Sequence, residues 1–484
     1  MNSSEADVRS VPIRHFHTNL HGTGPAKIDI LPDEVLLDIF HFCRVDGINT
    51  FGVTWEWETL VHVCRRWRHL IFATPRGLDL RLVCTRRTPG QGMLNIWPDI
   101  PIIIFDQNEL TSDLPIPNII AALECHDRVY GIWLNNLTYS QWELFTAATQ
   151  TQFSALTFLE LGPRIKTDSV LPVEFLGGSA PNLRIVRLVG IPFPAIPHLL
   201  LSSRDLVDLQ LRDVPIEGYV SPMAIVAGLS ALSNLRKLSI GFRSPKSPTD
   251  RTIRFPRPRK RVVLPALTDL GFRGVSEYLE DFVERIDAPL LLHFEISFFN
   301  QLIFHLPKLA RFITRTEKLK SFDQADVALR VSDIRFSLLS PGREVYIALE
   351  ISCGEIDWQL SSLVQVCDQL HSLASRVEWL DLAEKRVLQR NWQDDMDHTQ
   401  WLELFQTFPA LNTLRLAKGV GSLVSRALQG LSTDSATEVL PALRYLSLAT
   451  SDEQFLSIQE AIMPFLSARH QHPDRTVVVR RWER

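Results

Sequence analysis

The sequence predicts an α/β protein, in which an all-α N-terminal segment precedes an irregular repeat domain with parallel strands on a concave face and helices outside. Three observations lead to this prediction. A Leu-x-x-Leu-x-Leu unit recurs after residue 125, a Pro often lies two residues before its first Leu, and segments with helical spacing separate the copies. A repeat of this kind indicates the architecture before any catalytic motif is considered.

Each copy of the unit predicts a strand that is entered through a turn. Proline lacks a backbone N–H and disfavours helix at the residue before it, so the preceding segment ends there. The fourth and sixth positions then point to one face of the strand, and the third and fifth positions point to the other. The copies with the Pro span residues 181–188, 265–272, 289–296, 409–416 and 441–448.

Weaker copies fill most of the intervals between these. Counting them gives first positions at residues 129, 156, 183, 206, 235, 267, 291, 377, 411 and 443. The interval between 291 and 377 has room for two degenerate copies, which we expect near 319–322 and 345–351. Two of the separating segments have apolar faces at helical spacing, formed by Tyr278, Leu279, Phe282, Val283 and Ile286 and by Leu302, Leu306, Leu309 and Ile313.

Strand and helix alternating at this period resemble the leucine-rich repeat over roughly residues 126–480. The resemblance implies a solenoid, and the variable step lengths and the missing Asn after Leu-x-Leu imply an irregular one. An ordinary α/β domain is the competing interpretation. Five copies with Pro in the same place argue against it.

Composition excludes several classes of protein. The formal net charge of -4 is too small to predict nucleic-acid binding, and no apolar segment has the length and continuity of a membrane span. The six Cys include no Cys-x-x-Cys pair, so neither a disulfide framework nor a zinc ribbon is indicated. No secretory signal is visible at the N-terminus. We therefore expect a soluble protein of a reducing compartment, the cytoplasm and/or the nucleus.

The chain before the repeats changes character near residue 27. Residues 1–26 are rich in Ser, His, Asn and Gly and predict a disordered tail. One helix is predicted to open at residue 32 with Pro and acidic residues, and a second is predicted over 58–72. A unit of two or three such helices has little core of its own, so it needs a partner.

The run ILPDEVLLDIF, followed by LVHVCRRWRHL, resembles an F-box over about residues 28–73. The carrying motifs are Leu-Pro-x-Glu in the first helix and Val-Cys-x-x-Trp in the later one. The stretches WPDIPIII, GLSALSNL and GVSEYLEDFVERIDAPLL also look like those of F-box proteins from mushroom-forming fungi. The implied organisation is a tail at 1–26, an F-box at 27–75, a linking segment at 76–125 that packs on the first repeats, and a solenoid at 126–484 with a basic, Pro-rich loop at 244–263.

The resemblance implies that the F-box docks on the Skp adaptor of a cullin–RING ubiquitin ligase, while the downstream domain captures a target protein. The docking residues would be Leu31, Pro32, Val35, Leu36, Ile39, Phe40, Val63, Cys64, Trp67 and Leu70. Contacts of this kind place an apolar helix face and an aromatic anchor in a partner groove. Alternatively, some of these side chains hold the helices to each other, and Trp67 and Cys64 are the strongest candidates for that role.

We expect the target to bind the strand face that exposes the third and fifth positions. The candidates are Trp133, Phe158, Glu160, Arg187, Asp208, Gln210, Lys237, His293, Glu295, Trp379, Asp381, Arg415 and Tyr445. Trp133 and Trp379 stand out because an exposed Trp is a common hot spot in protein interfaces. A solvated row of mixed charge, with its aromatics packed on neighbours, is the alternative for any single residue.

Other signals are set aside. His15, His17 and His21 have no acidic or Cys partner nearby, so we predict no metal site. The basic run at 254–261 fits a nuclear-import signal or an anion-binding patch, but a solvated loop is the simpler interpretation. The sequence has no phosphate-binding loop, no Gly-x-Ser-x-Gly elbow and no His-Glu-x-x-His pair. We therefore predict no enzyme and no cofactor.

Three functional hypotheses follow from these patterns. The leading one is a non-catalytic target-recognition adaptor of a Skp–cullin–F-box ubiquitin ligase. The second is a repeat scaffold that binds partner proteins without directing ubiquitylation, and the third is an unrecognised hydrolase on an α/β core. The identity of the target protein does not follow from the sequence.

Overall fold

The structure is a computed structural model of the chain. It describes residues 28–42, 57–75, 77–87, 94, 99–106, 115–163, 170–243, 261–299, 301, 303–352, 356–384, 399–417, 419–429, 431, 438–449, 452–471 and 476–482. The chain divides into two compact units, Met1–Leu80 and Arg81–Arg484. The predicted tail, the basic run at 254–260 and Leu302 lie outside the described residues. In the described part of the chain, every helix is too short or too polar to cross a membrane.

The first unit is helical in its described part. A 3-10 turn at Ile28–Ile30 precedes helices α1 (Asp33–Phe42), α2 (Trp57–Leu60) and α3 (Arg65–Ala73). Asp33 and Glu34 lie in the first turn of α1, where negative charge favours the helix N-terminus. The prediction of one continuous helix over 58–72 is wrong. Cys64 is extended there, and its Sγ accepts a hydrogen bond from the backbone N–H of Trp67, so α3 begins anew after Cys64.

The second unit contains one long sheet. In chain order its strands are β1 (Leu82–Cys84), β2 (Ile102–Asp106), β3 (Val129–Leu137), β4 (Phe158–Pro163), β5 (Ile185–Val189), β6 (Asp208–Val214), β7 (Lys237–Phe242), β8 (Val262–Val263), β9 (Asp269–Gly274), β10 (Ile286–Asp287), β11 (His293–Phe298), β12 (Gln324–Leu329), β13 (Asp333–Leu339), β14 (Tyr346–Ser352), β15 (Trp379–Glu384), β16 (Thr413–Leu416), β17 (Tyr445–Leu448) and β18 (Val478–Arg481). Among the described residues, β8 and β10 form a separate pair and the other sixteen strands form the sheet.

Helices return the chain between most strands. They are α4 (Pro117–Glu124), α5 (Tyr139–Ala148), α6 (Ile196–Ser202), α7 (Pro222–Leu229), α8 (Ser276–Val283), α9 (Pro307–Arg315), α10 (Ile356–Gln369), α11 (His371–Ala374), α12 (Thr399–Gln406), α13 (Val420–Gln429) and α14 (Asp452–His470). Several open with Pro in the first turn, where its missing N–H costs nothing. Ile286, predicted on the face of α8, lies in β10 instead because the helix ends at Val283.

The core consists of leucine ladders that cross the sheet in register. The fourth-position side chains of successive copies are Cα partners, as in Ile132, Leu159, Val186 and Leu209, and all four are buried. Phe294 at the same position packs edge-to-face on Phe312 of α9, with ring centroids 5.8 Å apart. The fourth and sixth positions therefore face the helices. The structure thus confirms the leucine-rich-repeat-like alternation of parallel strand and helix in this unit.

The sheet departs from the predicted all-parallel arrangement at one place. Strand order there is β11, β14, β13, β12, β15, and β13 runs antiparallel to both neighbours. The two degenerate copies exist, since β14 and β12 pair parallel with β11 and β15. Phe322 takes the first position of its copy, because Ala325 pairs with Leu380 in the next strand. A third strand, with buried Ile334, Phe336 and Leu338, completes a meander between them.

The sheet also begins earlier than the repeat pattern does. Strands β1 and β2 pair parallel with each other, and β2 pairs with β3. Both lie in the predicted linking segment 76–125, where no copy of the leucine unit is found. Their runs are nearly continuously buried, which is typical of parallel strands covered on both faces.

Candidate protein-binding surfaces

The first candidate surface is the apolar exposure on the helical unit. Of the residues assigned to docking, Pro32, Val35 and Val63 are exposed, and Val35 and Val63 expose 40% and 59% of their surface. Leu31, Ile39 and Cys64 are half-buried. Ile30 and Phe42, which the motif did not include, are exposed as well. We call Pro32, Val35 and Val63 the helical patch.

The remaining docking candidates are buried in the folded chain. Leu36, Phe40, Trp67 and Leu70 are each 9% exposed or less. The rings of Phe40 and Trp67 meet edge-to-face with centroids 4.8 Å apart, which joins α1 to α3. For these four side chains the structure favours the alternative given above, a role in holding the helices. Cys64 serves α3 as its cap.

Arg66 secures the Leu-Pro segment and was missed by motif reasoning. Its guanidinium donates to Leu31 O at 2.6 Å and to Asp33 Oδ1 at 2.6 Å. These bonds link the start of α1 to the first turn of α3. They hold the backbone around Pro32 in place, immediately before the turn that carries Val35. The only sign of this role in the sequence was a basic residue two positions after Cys64.

The second candidate surface is the sheet face turned away from the helices, formed by the third and fifth positions; we call it the open face. Its members align in register across neighbouring strands. Trp133 pairs with Glu160, Glu160 with Arg187, and Arg187 with Gln210. Towards the C-terminus, Asp381 pairs with Arg415. The repeat spacing therefore places the predicted target-binding residues in two rows across the strands, one for the third positions and one for the fifth.

The expectation that Trp133 is exposed is wrong. Its side chain is 3% exposed, because the ring packs between Phe105 of β2 and Phe158 of β4, at centroid distances of 5.3 and 5.1 Å. Its Nε1 donates to Glu160 Oε1 at 2.9 Å. Asp208 and Gln210 are also buried, contrary to expectation. Phe105 belongs to a segment without the leucine unit, so the repeat pattern gave no sign of it.

Polar side chains around Arg187 on the open face form ion pairs and hydrogen bonds with one another. The Arg187 guanidinium lies 3.5 Å from Glu160 Oε2 and 2.8 Å from Asp208 Oδ2. Gln210 Nε2 donates to both carboxylate oxygens of Asp208. The row Glu160–Arg187–Asp208–Gln210 is therefore rigid and already paired, which leaves little unmet hydrogen-bonding capacity for a ligand.

The middle of the open face carries a second group of contacts. His293 Nδ1 lies 2.9 Å from Asp269 Oδ1, and the His293 ring stacks on Tyr346. Tyr346 donates to Glu295 Oε1 at 2.9 Å. Burial and this bond raise the pKa of Tyr346 to about 12. Asp269 and Tyr346 were not among the predicted residues; Tyr346 lies in a degenerate copy that has Glu344 instead of a leucine at its first position.

Hydrogen bonding also shifts the pKa of Asp269, the acidic partner of His293. Burial acts to raise the pKa of Asp269, but hydrogen bonds with Thr268 and His293 lower it below its ordinary value overall. The carboxylate is thus held ionised beside the imidazole. Lys237, on the neighbouring strand, is exposed as predicted.

The C-terminal part of the open face is rich in aromatic and arginine side chains. The Arg415 guanidinium lies 4.1 Å from the Trp379 ring centroid and 5.0 Å from that of Trp482. Arg480 similarly lies 4.6 Å from the Tyr445 ring. Trp379 is half-buried and Tyr445 is exposed, so this group offers the amphipathic surface that partner proteins commonly contact.

Asp381 lies within this aromatic group. Burial, and then the carboxylate of Asp326 on the adjacent strand, raise the pKa of Asp381, although Arg415 nearby opposes the shift. Trp379 Nε1 donates to Asp381 Oδ1 at 3.2 Å.

In the part of the chain that the structure describes, His, Cys, Asp and Glu side chains form no group of three or more placed to hold a metal ion.

Comparisons with known proteins add little about activity. No family model matches the sequence, and no curated protein matches it either. Among solved structures, the chain is similar to the leucine-rich repeat-containing protein LegL7 from Legionella pneumophila, at 13% sequence identity and a TM-score of 0.26. That match covers 70% of this chain and 90% of LegL7.

Proposed function

We propose that this chain is the non-catalytic target-recognition adaptor of a Skp–cullin–F-box ubiquitin ligase. The helical patch docks the Skp adaptor, and the open face captures a target protein. The observation that carries the proposal is the apolar exposure of Pro32, Val35 and Val63, positions that the F-box resemblance assigns to docking. Exposed apolar side chains on a small helical unit are stabilised when a partner removes them from water.

The buried candidates support the docking indirectly. Phe40 and Trp67 join α1 to α3, and Arg66 fixes Leu31 and Asp33, so the helical patch is presented on a braced backbone. A preorganised surface loses less conformational entropy when a partner binds. The docking contact is therefore smaller than the motif implied, and its centre shifts to the exposed residues.

Target capture is assigned to the C-terminal part of the open face. Trp379, Arg415 and Tyr445 combine apolar area with charge, whereas the row around Arg187 is already paired internally. Aromatic and arginine side chains dominate the binding energy of many protein interfaces. The cytoplasm and/or the nucleus is the location that such a ligase subunit requires.

The test is capture of purified Skp adaptor by the full chain and by a Val35→Asp/Val63→Asp variant. We expect the variant to lose binding by more than about tenfold, because a charge is placed in an apolar contact. Leu456→Asp is the matched control, since Leu456 is an exposed apolar residue of α14 in the other unit. Unchanged binding by the double variant, with circular dichroism like wild type, would refute docking through the helical patch.

A repeat scaffold that binds partners without directing ubiquitylation is the second candidate. The open face favours it, because its contacts are formed within the second unit and do not involve the helical patch. Co-purification distinguishes the two: recovery of a cullin together with the Skp adaptor supports the ligase role. Recovery of a target with no cullin, from cells that contain both, supports the scaffold.

A further inference from the structure

A groove lies at the end of the sheet where strands β4, β5, β6, β7 and β9 begin. It has a volume of about 600 Å³ and extends from Ala155 to Ala266, across five successive copies of the repeat. It is separate from the open face, since its lining residues flank the first position of each copy instead of occupying the third and fifth. Strands lie about 4.8 Å apart, so the groove is roughly 19 Å long, the length of about six extended residues.

Two arginines in the groove have equivalent surroundings. Asn182-Leu183-Arg184 and Asn234-Leu235-Arg236 are the same tripeptide in two copies. In both, the Leu is fully buried and the Arg N–H donates to a carbonyl of the preceding strand's copy at 2.8 Å, which fixes the backbone. Strand β6 lies between them, so their Cα atoms are roughly 10 Å apart.

Both guanidinium groups are available to a ligand. Arg184 and Arg236 are exposed, and among the described residues neither side chain has a hydrogen-bond or ion-pair partner. This differs from Arg187 and Arg415, which are engaged on the open face. Arg pairs well with oxyanions because its planar fork donates two parallel hydrogen bonds.

Asp205 lies between the two arginines along the groove and is exposed. Its carboxylate opposes any anion that binds there, so it lowers the affinity that Arg184 and Arg236 provide. Asn234 adds an exposed amide that can bond to a peptide backbone. The lining contains no aromatic side chain on which nucleic-acid bases could stack, which argues against single-stranded nucleic acid.

We propose that this groove binds an extended, acidic segment of a partner protein, with carboxylate or phosphate groups held by Arg184 and Arg236. The length of the groove fits a peptide better than a free anion. The site works whether or not the helical patch docks an adaptor.

The test measures binding of a fluorescein-labelled peptide of alternating Ser and Glu to the purified full chain by anisotropy. A Ser/Gln peptide is the neutral comparison, and a version with phosphoserine in place of Glu distinguishes phosphate from carboxylate as the preferred group. We expect the Glu peptide to bind and the Gln peptide to fail, with binding weakened by added salt. Arg184→Gln and Arg236→Gln should each weaken it about fivefold, the value of a partly exposed ion pair.

Two further variants make the test specific. Asp205→Asn should strengthen binding of the Glu peptide, because it removes a repelling charge from the same groove. Arg444→Gln is the matched control: Arg444 holds the same repeat position, is exposed and makes the same backbone hydrogen bond, but lies outside the groove. Equal losses for Arg184→Gln and Arg444→Gln, or weaker binding by Asp205→Asn, would overturn the proposal. So would tighter binding of a thymidine oligonucleotide through the same arginines.

Discussion

Whether a side chain on the open face can serve a partner depends on the residues of the two adjacent strands. Trp133 has aromatic neighbours on both sides, Phe105 and Phe158, and is removed from water. Trp379 instead has Arg415 on the adjacent strand, whose guanidinium lies 4.1 Å from the ring centroid, and Trp379 stays half-buried. Two tryptophans on the same face of the sheet therefore differ in exposure: Trp133 is buried between aromatic neighbours, whereas Trp379 is half-buried.

Asp381 gives this surface a pH dependence. Its raised pKa means that the native state holds a proton at pH values where the unfolded chain has released it, so its contribution to stability falls as pH rises between the ordinary Asp pKa and the raised value. Asn cannot ionise, and its amide oxygen can still accept the bond from Trp379 Nε1. We expect Asp381→Asn to be more stable than wild type at pH 7, with the difference shrinking as pH falls from the raised pKa to the ordinary Asp pKa of about 4.

Thermal unfolding of wild type and Asp381→Asn at a series of pH values measures this difference in stability. Asp281→Asn is a suitable control, because Asp281 is exposed and pairs with Lys308. A variant at Asp381 that is less stable than wild type at pH 7 would mean that the Arg415 contact outweighs burial and the repulsion from Asp326.

At the level of elements, the neighbouring helices α8 and α9 supply each other's caps. Helix α9 has no side-chain cap of its own, and Pro307 removes one of its free N–H groups. The buried carboxylate of Glu280, on α8, accepts from Lys308 N at 2.9 Å and from Leu309 N at 2.7 Å. In return, Arg315 at the end of α9 donates to Val283 O, at the end of α8, and to Ile286 O, in β10. Each helix end thus depends on the adjacent copy.

We expect Glu280→Ala to lower the free energy of unfolding by about 2–4 kcal/mol, because two buried N–H groups lose a charged acceptor. Glu280→Gln should cost about 1 kcal/mol, since one amide oxygen remains. Glu277→Ala, an exposed glutamate of the same helix, should change stability by less than about 0.5 kcal/mol. Denaturant titration of the three variants is the measurement. Equal stability of Glu280→Ala and Glu277→Ala would contradict the cross-helix cap.

The elements that the sequence predicted share one property: their signal is local. Leu183, Val186 and Leu188 fall at fixed spacing within eight residues, so strand, register and buried face follow from the pattern alone. The meander at β13 could not be predicted in that way, because Ile334-Phe336-Leu338 specifies a strand but not its direction. Direction depends on the short turns at both ends, where Arg330 N bonds to Asp333 O and Ser340 N to Val345 O.

The candidate sites were less predictable, because exposure depends on distant residues. The third and fifth positions were assigned to the correct strand face, but the burial of Trp133 depends on Phe105 in β2. The docking motif likewise combines exposed residues such as Val35 with residues such as Trp67 that pack on Phe40. The groove holding Arg184 and Arg236 was missed, since its residues flank the leucine unit and belong to different copies.

At the scale of the whole molecule, the sheet is held together by contacts between successive strands. From β3 to β6 each strand pairs with the strands before and after it in the chain, and the first-position side chains of these copies are buried. In such an arrangement stability is close to a sum of terms for each copy and for each neighbouring pair. A defect in one copy is then felt mainly by its neighbours.

Leu206 and Leu443 test this locality, because both occupy first positions and both are buried. Either change to Ala removes about 2–5 kcal/mol of local packing. We expect Leu443→Ala to raise hydrogen exchange in β16 to β18 and to leave β3 to β5 protected, whereas Leu206→Ala should raise it in β5 to β7. Hydrogen–deuterium exchange with mass spectrometry resolves these segments. Uniform loss of protection over the whole sheet in both variants would mean that the second unit unfolds as one cooperative body. The meander and the cross-helix caps would then couple the two ends of the sheet more strongly than packing between neighbouring copies does.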